Sequence, residues 1–292
     1  MNRVIIPVVI VLSVVIGSIL IYLLVQQIII KNTWCGFPYY CKLDHDQEGG
    51  VYKENYINTN KLFFVTSIDK KNSQTNKVYK QLKKDLGSMF KPVILEKWKG
   101  HGVAYNKIIK KIEELPDDSL IFVMDSLDIL AAKEINSLDI IRSFNKEKTN
   151  ILISGERGLR TLNPHATTEK PTQGNTGFYG GYKQDLLAFM REVIKTKKMV
   201  KYTHKLWRDQ TATQIYLMEK TPRFNGKWKI DTESKFIHTC AFETGDDFKI
   251  IKSKVYHKPT SRLLDPFFYH GPGNGIEEGV FKCMFKLRNL TL

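Results

Sequence analysis

The chain has 292 residues, 42% of them hydrophobic and 26% charged, with a formal net charge of +15. That length supports one large domain with a sizeable core once the N-terminal segment is set aside. A basic surplus suits nucleic acid, anionic lipid or acidic small molecules. Here the lysines are scattered, and clusters such as Lys107, Lys110, Lys111 and Lys195, Lys197, Lys198 sit in helix-like segments. No zinc-finger, RRM or KH signature accompanies them, so no nucleic-acid partner is expected.

From Val4 to Ile30 there is no charged residue, a run long enough to cross a hydrocarbon core as a helix. It continues past the usual length of a cleavable leader, so residues 1–30 read as an uncleaved transmembrane signal-anchor. Arg3 precedes the run and Lys31 and Lys42 follow it, so flanking charge gives little direction. Residues 31–60 are polar, contain Gly49-Gly50, and read as a stem; residues 61–292 read as the folded domain. Cys35, Cys41, Cys240 and Cys283 lack zinc-site spacing. Cys35 and Cys41 could close a small loop in an oxidising lumen, or all four could be free thiols.

Strand and helix patterns then alternate. Lys61 to Ser67 begins a strand, Lys77 to Leu86 an amphipathic helix, and Pro92 to Leu95 a second strand. Gly102 to Leu115 carries Val103, Ile108, Ile109 and Ile112 among lysines, a helix packed on a sheet. A strand from Ile121, a helix near Ala131 to Phe144 and a strand at Asn150 to Ser154 follow. The alternation predicts an α/β fold with a mostly parallel sheet and crossover helices. Leu159 to Gly174 reads as a long binding loop or lid, and Asn175 to Gly181 as a glycine-rich strand edge. Helices are expected from Gln184 to Thr196 and from Asp209 to Met218, and short β-like pieces from Lys227 onward.

The segment Ile121 to Ile129, IFVMDSLDI, ends a buried strand in two aspartates three apart. That puts Asp125 and Asp128 on one turn at the strand's carboxyl end, where α/β enzymes hold divalent metals. Aspartate is also favoured at caps and turns, and the preceding strand is what tilts the reading toward metal. His270 leads HGPGNG, whose Gly271, Gly273 and Gly275 let the backbone approach a phosphate or simply form a tight turn. Two carboxylates with one imidazole favour Mn²⁺, with Mg²⁺ as the alternative. Asp209-Gln210 opens a predicted helix; Asp209 is either its cap or a carboxylate at the sugar-binding end of a cleft. Trp98 and Trp207 could stack on a base or sugar, or pack in the core.

In order, DSLD, SGERG, NTGFYGG, RDQ and HGPGNG resemble the glycosyltransferase domain of procollagen lysyl hydroxylases and related collagen glucosyl- and galactosyltransferases. The resemblance covers roughly residues 61–276. It implies a GT-A fold and a hexose transferred from a UDP-sugar to a hydroxyl acceptor, hydroxylysine-linked or on another protein glycan. It further implies metal ligation by Asp125, Asp128 and His270, and donor contacts from Val65, Thr66, Ser67, Trp98, Gly177, Gly273, Asn274 and Gly275. Asp209 and Gln210 would lie on the catalytic, sugar-facing side. The catalytic part would then face the secretory lumen behind a type II anchor, although a cytosol-facing orientation suits the same sequence. Two departures are visible. Leu127 replaces the aromatic between the family's aspartates, and the basic run Lys201 to Arg208 replaces an acidic one. The alternative they leave open is a catalytically silent sugar-binding or assembly module with the same fold.

Overall fold

A computed structural model describes residues 48–54, 59–156, 173–196, 209–217, 223–240, 247–251, 254–259 and 261–271. All belong to the unit Leu43–Leu292; the unit Met1–Lys42, and with it the predicted membrane segment, lies outside the described residues. Among the described residues no helix is long and apolar enough to cross a membrane. Cys35, Cys41, Cys283, Trp207 and most of the predicted Leu159 to Gly174 loop also lie outside them, whereas Cys240 is described and buried.

In chain order the elements are β1 (Glu48–Gly49), β2 (Leu62–Asp69), α1 (Lys70–Thr75), α2 (Lys77–Leu86), β3 (Phe90–Leu95) and α3 (His101–Glu113). Then come β4 (Leu120–Met124), β5 (Ile129–Ala131), α4 (Ser137–Lys146), β6 (Ile151–Glu156), β7 (Gln173–Tyr182), α5 (Lys183–Lys195) and α6 (Asp209–Leu217). The last are β8 (Trp228–Asp231), β9 (Ile237–Thr239), β10 (Phe248–Ile251), β11 (Lys254–His257), β12 (Arg262–Leu264) and β13 (Phe268–His270). Local chemistry sets several of these boundaries. Asp69 ends β2 and caps α1 by accepting from Asn72 N at 2.9 Å. Asn76 caps α2 through Tyr79 N at 2.8 Å, and Asn136 caps α4 through Leu138 N at 2.9 Å, each satisfying a helix N–H that has no partner inside its own helix.

A seven-stranded sheet carries the order β1-β8-β6-β7-β4-β2-β3. β2, β3, β4, β6 and β8 share one direction, while β7 and β1 run against it. The period of two along the strands sorts the core into two layers. Val65, Ile121, Val123, Ile151, Ile153 and Tyr179 face α3, α5 and α6, meeting Ile108, Ile112, Leu186, Phe189, Met190 and Tyr216. Phe64, Leu120, Phe122, Leu152 and Phe178 face the other way, against Leu82 and Leu86 of α2, Ile140 and Phe144 of α4, and Phe268 of β13. Phe122 stacks on Phe178 at 4.8 Å and meets Phe144 edge-on at 5.9 Å. Truncating so buried an aromatic costs about 3–5 kcal/mol.

The structure departs from the sequence pattern in three places. The glycine-rich segment predicted as a strand edge is β7, at the centre of the sheet between β6 and β4. Its glycines answer to crowding by neighbouring backbone. A Cβ on Gly180 would sit 2.4 Å from Ile121 O, and one on Gly181 2.2 Å from Asn150 O. The helix predicted from Ala131 begins at Ser137, because Ile129–Ala131 pairs instead with Phe268–His270. And the predicted stem contributes a strand, since Glu48 and Gly49 pair with Lys229 and Trp228.

Candidate active site

The sheet's topology opens a crevice. The chain leaves β2 for its neighbour β3, then returns past β2 to β4 on the other side. The α2 and α3 connections therefore lie on opposite faces, and the carboxyl ends of β2 and β4 are left uncovered between them. Thr66 and Ser67 of β2 line this cleft with Val123 to Asp128 at the end of β4, and Thr176 and Tyr179 of β7. Trp98, with His101, Ala104, Tyr105 and Ile108 of α3, forms a second wall, and Asp209 at the start of α6 closes the lining.

Asp125, Asp128 and His270 converge at its edge, each offering one ligand atom within 4.8 Å of the others. The two aspartates come from one turn after β4, pinned at both ends: Asp125 N donates to Gly177 O at 2.8 Å, and Gly271 N donates to Asp128 O at 2.9 Å. Antiparallel pairing of β13 with β5 sets His270 opposite Ile129, one residue past Asp128. Its Nε2 lies 3.5 Å from Asp125 Oδ2 and 3.6 Å from Asp128 Oδ2, too far for ordinary hydrogen bonds. Both ring nitrogens and Asp128 Oδ1 have no hydrogen-bond partner among the described residues, although His270 is only 1% exposed. A buried imidazole and carboxylate oxygen left unbonded, with a second carboxylate beside them, fit a divalent cation that takes oxygen and nitrogen ligands.

The electrostatics agree with the geometry. Burial disfavours charge on His270, but the Asp128 and Asp125 carboxylates outweigh it and raise the imidazole from 6.5 to about 10. The crowded walls raise the Asp125 carboxyl, opposed by the His270 contact and reinforced by the Asp128 charge. Asp125 keeps 56% of its side-chain surface, so solvent screens part of that effect.

Behind the cleft lies a polar knot in which Gln210 and Gly177, both expected at the site, meet two residues that were not, Glu156 and Asn175. Glu156 Oε2 accepts from Asn175 Nδ2 at 2.8 Å and from Gln210 Nε2 at 3.1 Å, and Asn175 Oδ1 accepts from Gly177 N at 2.7 Å. Burial raises the Glu156 carboxyl, while the Asn175 hydrogen bond works against it. The knot ties β6, β7 and α6 together beside the metal-ligand group. Tyr105 and Tyr179 are buried under the cleft, and burial lifts both phenols well above their usual range. Gln210 and Gly177 were assigned from the RDQ and NTGFYGG motifs; for Glu156, Asn175 and Tyr179 the only sequence signal was that they fall inside SGERG and NTGFYGG.

Of the other predicted site residues, Thr66, Ser67, Trp98 and Asp209 line the cleft. Val65 does not: it sits one residue short of the strand end that borders the cleft and is fully buried in the core against α3. Gln210 turns its side chain to Glu156. Gly177 meets the ring of His270, where a Cβ would fall 2.1 Å from Cε1. Gly273, Asn274 and Gly275 lie outside the described residues.

No protein-family model matches the chain, and no curated protein matches it. Among solved structures, the galactosyltransferase LgtC in complex with donor and acceptor sugar analogues overlaps at a TM-score of 0.44 and 10% identity, covering 79% of this chain and 97% of that one. An active-site mutant of LgtC overlaps at 0.44 and 9%, covering 78% and 95%. So loose an overlap assigns no activity, and the chemistry rests on the site.

Proposed function

We propose that the chain is a membrane-anchored, metal-dependent glycosyltransferase of GT-A architecture that moves a hexose, glucose or galactose, from a UDP-sugar to a hydroxyl acceptor on a protein or its glycan. The observation that carries this is the convergence of Asp125, Asp128 and His270 at a switch-point crevice, with ligand atoms within 4.8 Å of one another. The order of DSLD, NTGFYGG, RDQ and HGPGNG, resembling the collagen glycosyltransferase domains, supports the UDP-sugar part. Residues 4–30 would anchor the chain, with the catalytic domain on the lumenal side.

A Mn²⁺ or Mg²⁺ ion held by the three ligands would supply positive charge opposite the leaving diphosphate. The chain's own residues do the rest. Thr66 Oγ1 is buried at the cleft wall with no hydrogen-bond partner among the described residues, and offers one to the nucleoside. The indole of Trp98, 42% exposed at the rim, offers a face for stacking on a base or sugar. The Asp209 carboxylate accepts from sugar hydroxyls. The Glu156, Asn175 and Gly177 knot holds the β7 backbone against Asp125 and His270, so the ligands are set before anything binds.

The test is UDP release by the full chain in detergent across a panel of UDP-sugars, with Mn²⁺ and with chelator. One donor consumed only in the presence of metal is the expected result. Asp125→Asn or Asp128→Asn should abolish that turnover while the chain still folds, read by circular dichroism, and full activity in either variant refutes the metal site. Silence across the panel together with no UDP binding favours the non-catalytic module.

A further inference from the structure

We infer that His101 is the residue that discriminates among sugars in this cleft, an inference that rests on the glycosyltransferase reading above. His101 begins α3 directly after Gly100, whose φ is +93° and whose missing Cβ would meet nothing within 4 Å. Glycine is there for its backbone freedom and not for space. The turn it permits brings Trp98 and His101 onto the same wall, their rings edge to face at 5.3 Å and 87°. Across the cleft, His101 Nδ1 lies 3.4 Å from Asp209 Oδ1, which also accepts from Gln210 N at 2.9 Å.

The imidazole is therefore held from two sides, by an indole on its own wall and by a carboxylate on α6. The side chain does not cap α3, it belongs to none of the core clusters, and at 46% exposure its contact with Asp209 adds little to stability. His101 and Asp209 line the same cleft as Asp125 and Asp128, so the pair and the two aspartates border one space. A ligand with its diphosphate at Asp125 and Asp128 would bring its sugar between them and the His101–Asp209 pair. An imidazole whose Nδ1 faces a carboxylate presents its Nε2, and the carboxylate its oxygens, to sugar hydroxyls at set positions. A site built that way rejects a sugar whose hydroxyl is misplaced far better than an apolar wall does.

The experiment measures affinities of the full chain in detergent, with Mn²⁺, for UDP, UDP-glucose, UDP-galactose and UDP-N-acetylglucosamine, in wild type, His101→Ala and His101→Gln. The expected result is a wild-type preference among the sugars of roughly tenfold or more that collapses in His101→Ala, partly survives in His101→Gln, and leaves UDP affinity within about twofold. Unchanged sugar preference in His101→Ala, no preference in the wild type, or an equal loss for UDP and the UDP-sugars overturns the inference alone. Absence of any UDP binding by the wild type overturns the glycosyltransferase reading, and this inference with it.

Discussion

Gly177→Ala isolates the contact on which the metal-ligand geometry depends. The added Cβ would lie 2.1 Å from His270 Cε1, 2.7 Å from Nε2 and 2.8 Å from Asn175 Oδ1. Ordinary contact begins near 3.4 Å, so the ring must retreat by about 1.3 Å. It has no empty side to move into, being 1% exposed, with its own carbonyl bonded to Cys240 N at 2.7 Å. Overpacking of this kind costs roughly 1–3 kcal/mol. The larger consequence is at the ligands, because a ring displaced that far no longer shares one sphere with Asp125 and Asp128. Affinity for Mn²⁺, read by electron paramagnetic resonance or calorimetry, should fall on the order of 10- to 100-fold. Gly100→Ala is the control, since its strain is conformational and remote from the triad; it should lower stability and leave Mn²⁺ affinity near wild type. Wild-type Mn²⁺ affinity in a destabilised Gly177→Ala would refute the reasoning, because it would mean His270 is not a ligand.

Two further predictions concern protons. His270 is held at about 10, above its ordinary 6.5, so metal-free protein gains stability from its protonation below about pH 6.5 and loses it as the pH rises toward 10. A cation must displace that proton, so Mn²⁺ binding near neutral pH should release about one proton, counted by calorimetry in buffers of different ionisation enthalpy; zero release removes His270 from the ligand set. Glu147 is half-buried, and Lys229 at 2.6 Å and Lys235 at 2.7 Å outweigh the effect of that burial and hold its carboxyl below the ordinary 4.5. Its contribution is present above about pH 4.5 and disappears as the pH falls through the lowered value. Glu147→Gln should cost about 1–2 kcal/mol at pH 7 after discounting the exposed Lys235 end, and should flatten the acid limb of the unfolding curve; an unaltered acid limb would rule the cluster out.

How much of this was legible in the sequence follows from how far apart the cooperating residues lie. Asp125 and Asp128 announced themselves because strand and turn are both local: LIFVM gives a buried strand, and its end gives the carboxylates. Helix α2 was legible for the same reason, since its cap Asn76 reaches only to Tyr79 N, three residues on. The helix predicted from Ala131 failed because Ile129–Ala131 answers to Phe268–His270, far along the chain. Val65 was assigned to the donor by motif position, yet it is buried in the core one residue before Thr66 and Ser67 reach the cleft. The Glu156, Asn175 and Gln210 knot joins three segments whose polar residues look ordinary one at a time.

The same separation shapes how the site is assembled. Its aspartates are set by β4 and by Gly177 of β7, inside the main sheet, whereas its histidine arrives on β13, which joins β5 and β9 in a sheet of its own. β9 is in turn set by Asp231, a buried carboxylate that accepts from Lys235 N, Phe236 N and Ile237 N at 2.9, 2.8 and 3.2 Å. The metal-ligand geometry thus depends on a turn more than thirty residues before His270 that touches none of the ligands. Loosening that turn would misplace the third ligand while both aspartates stayed where β4 puts them.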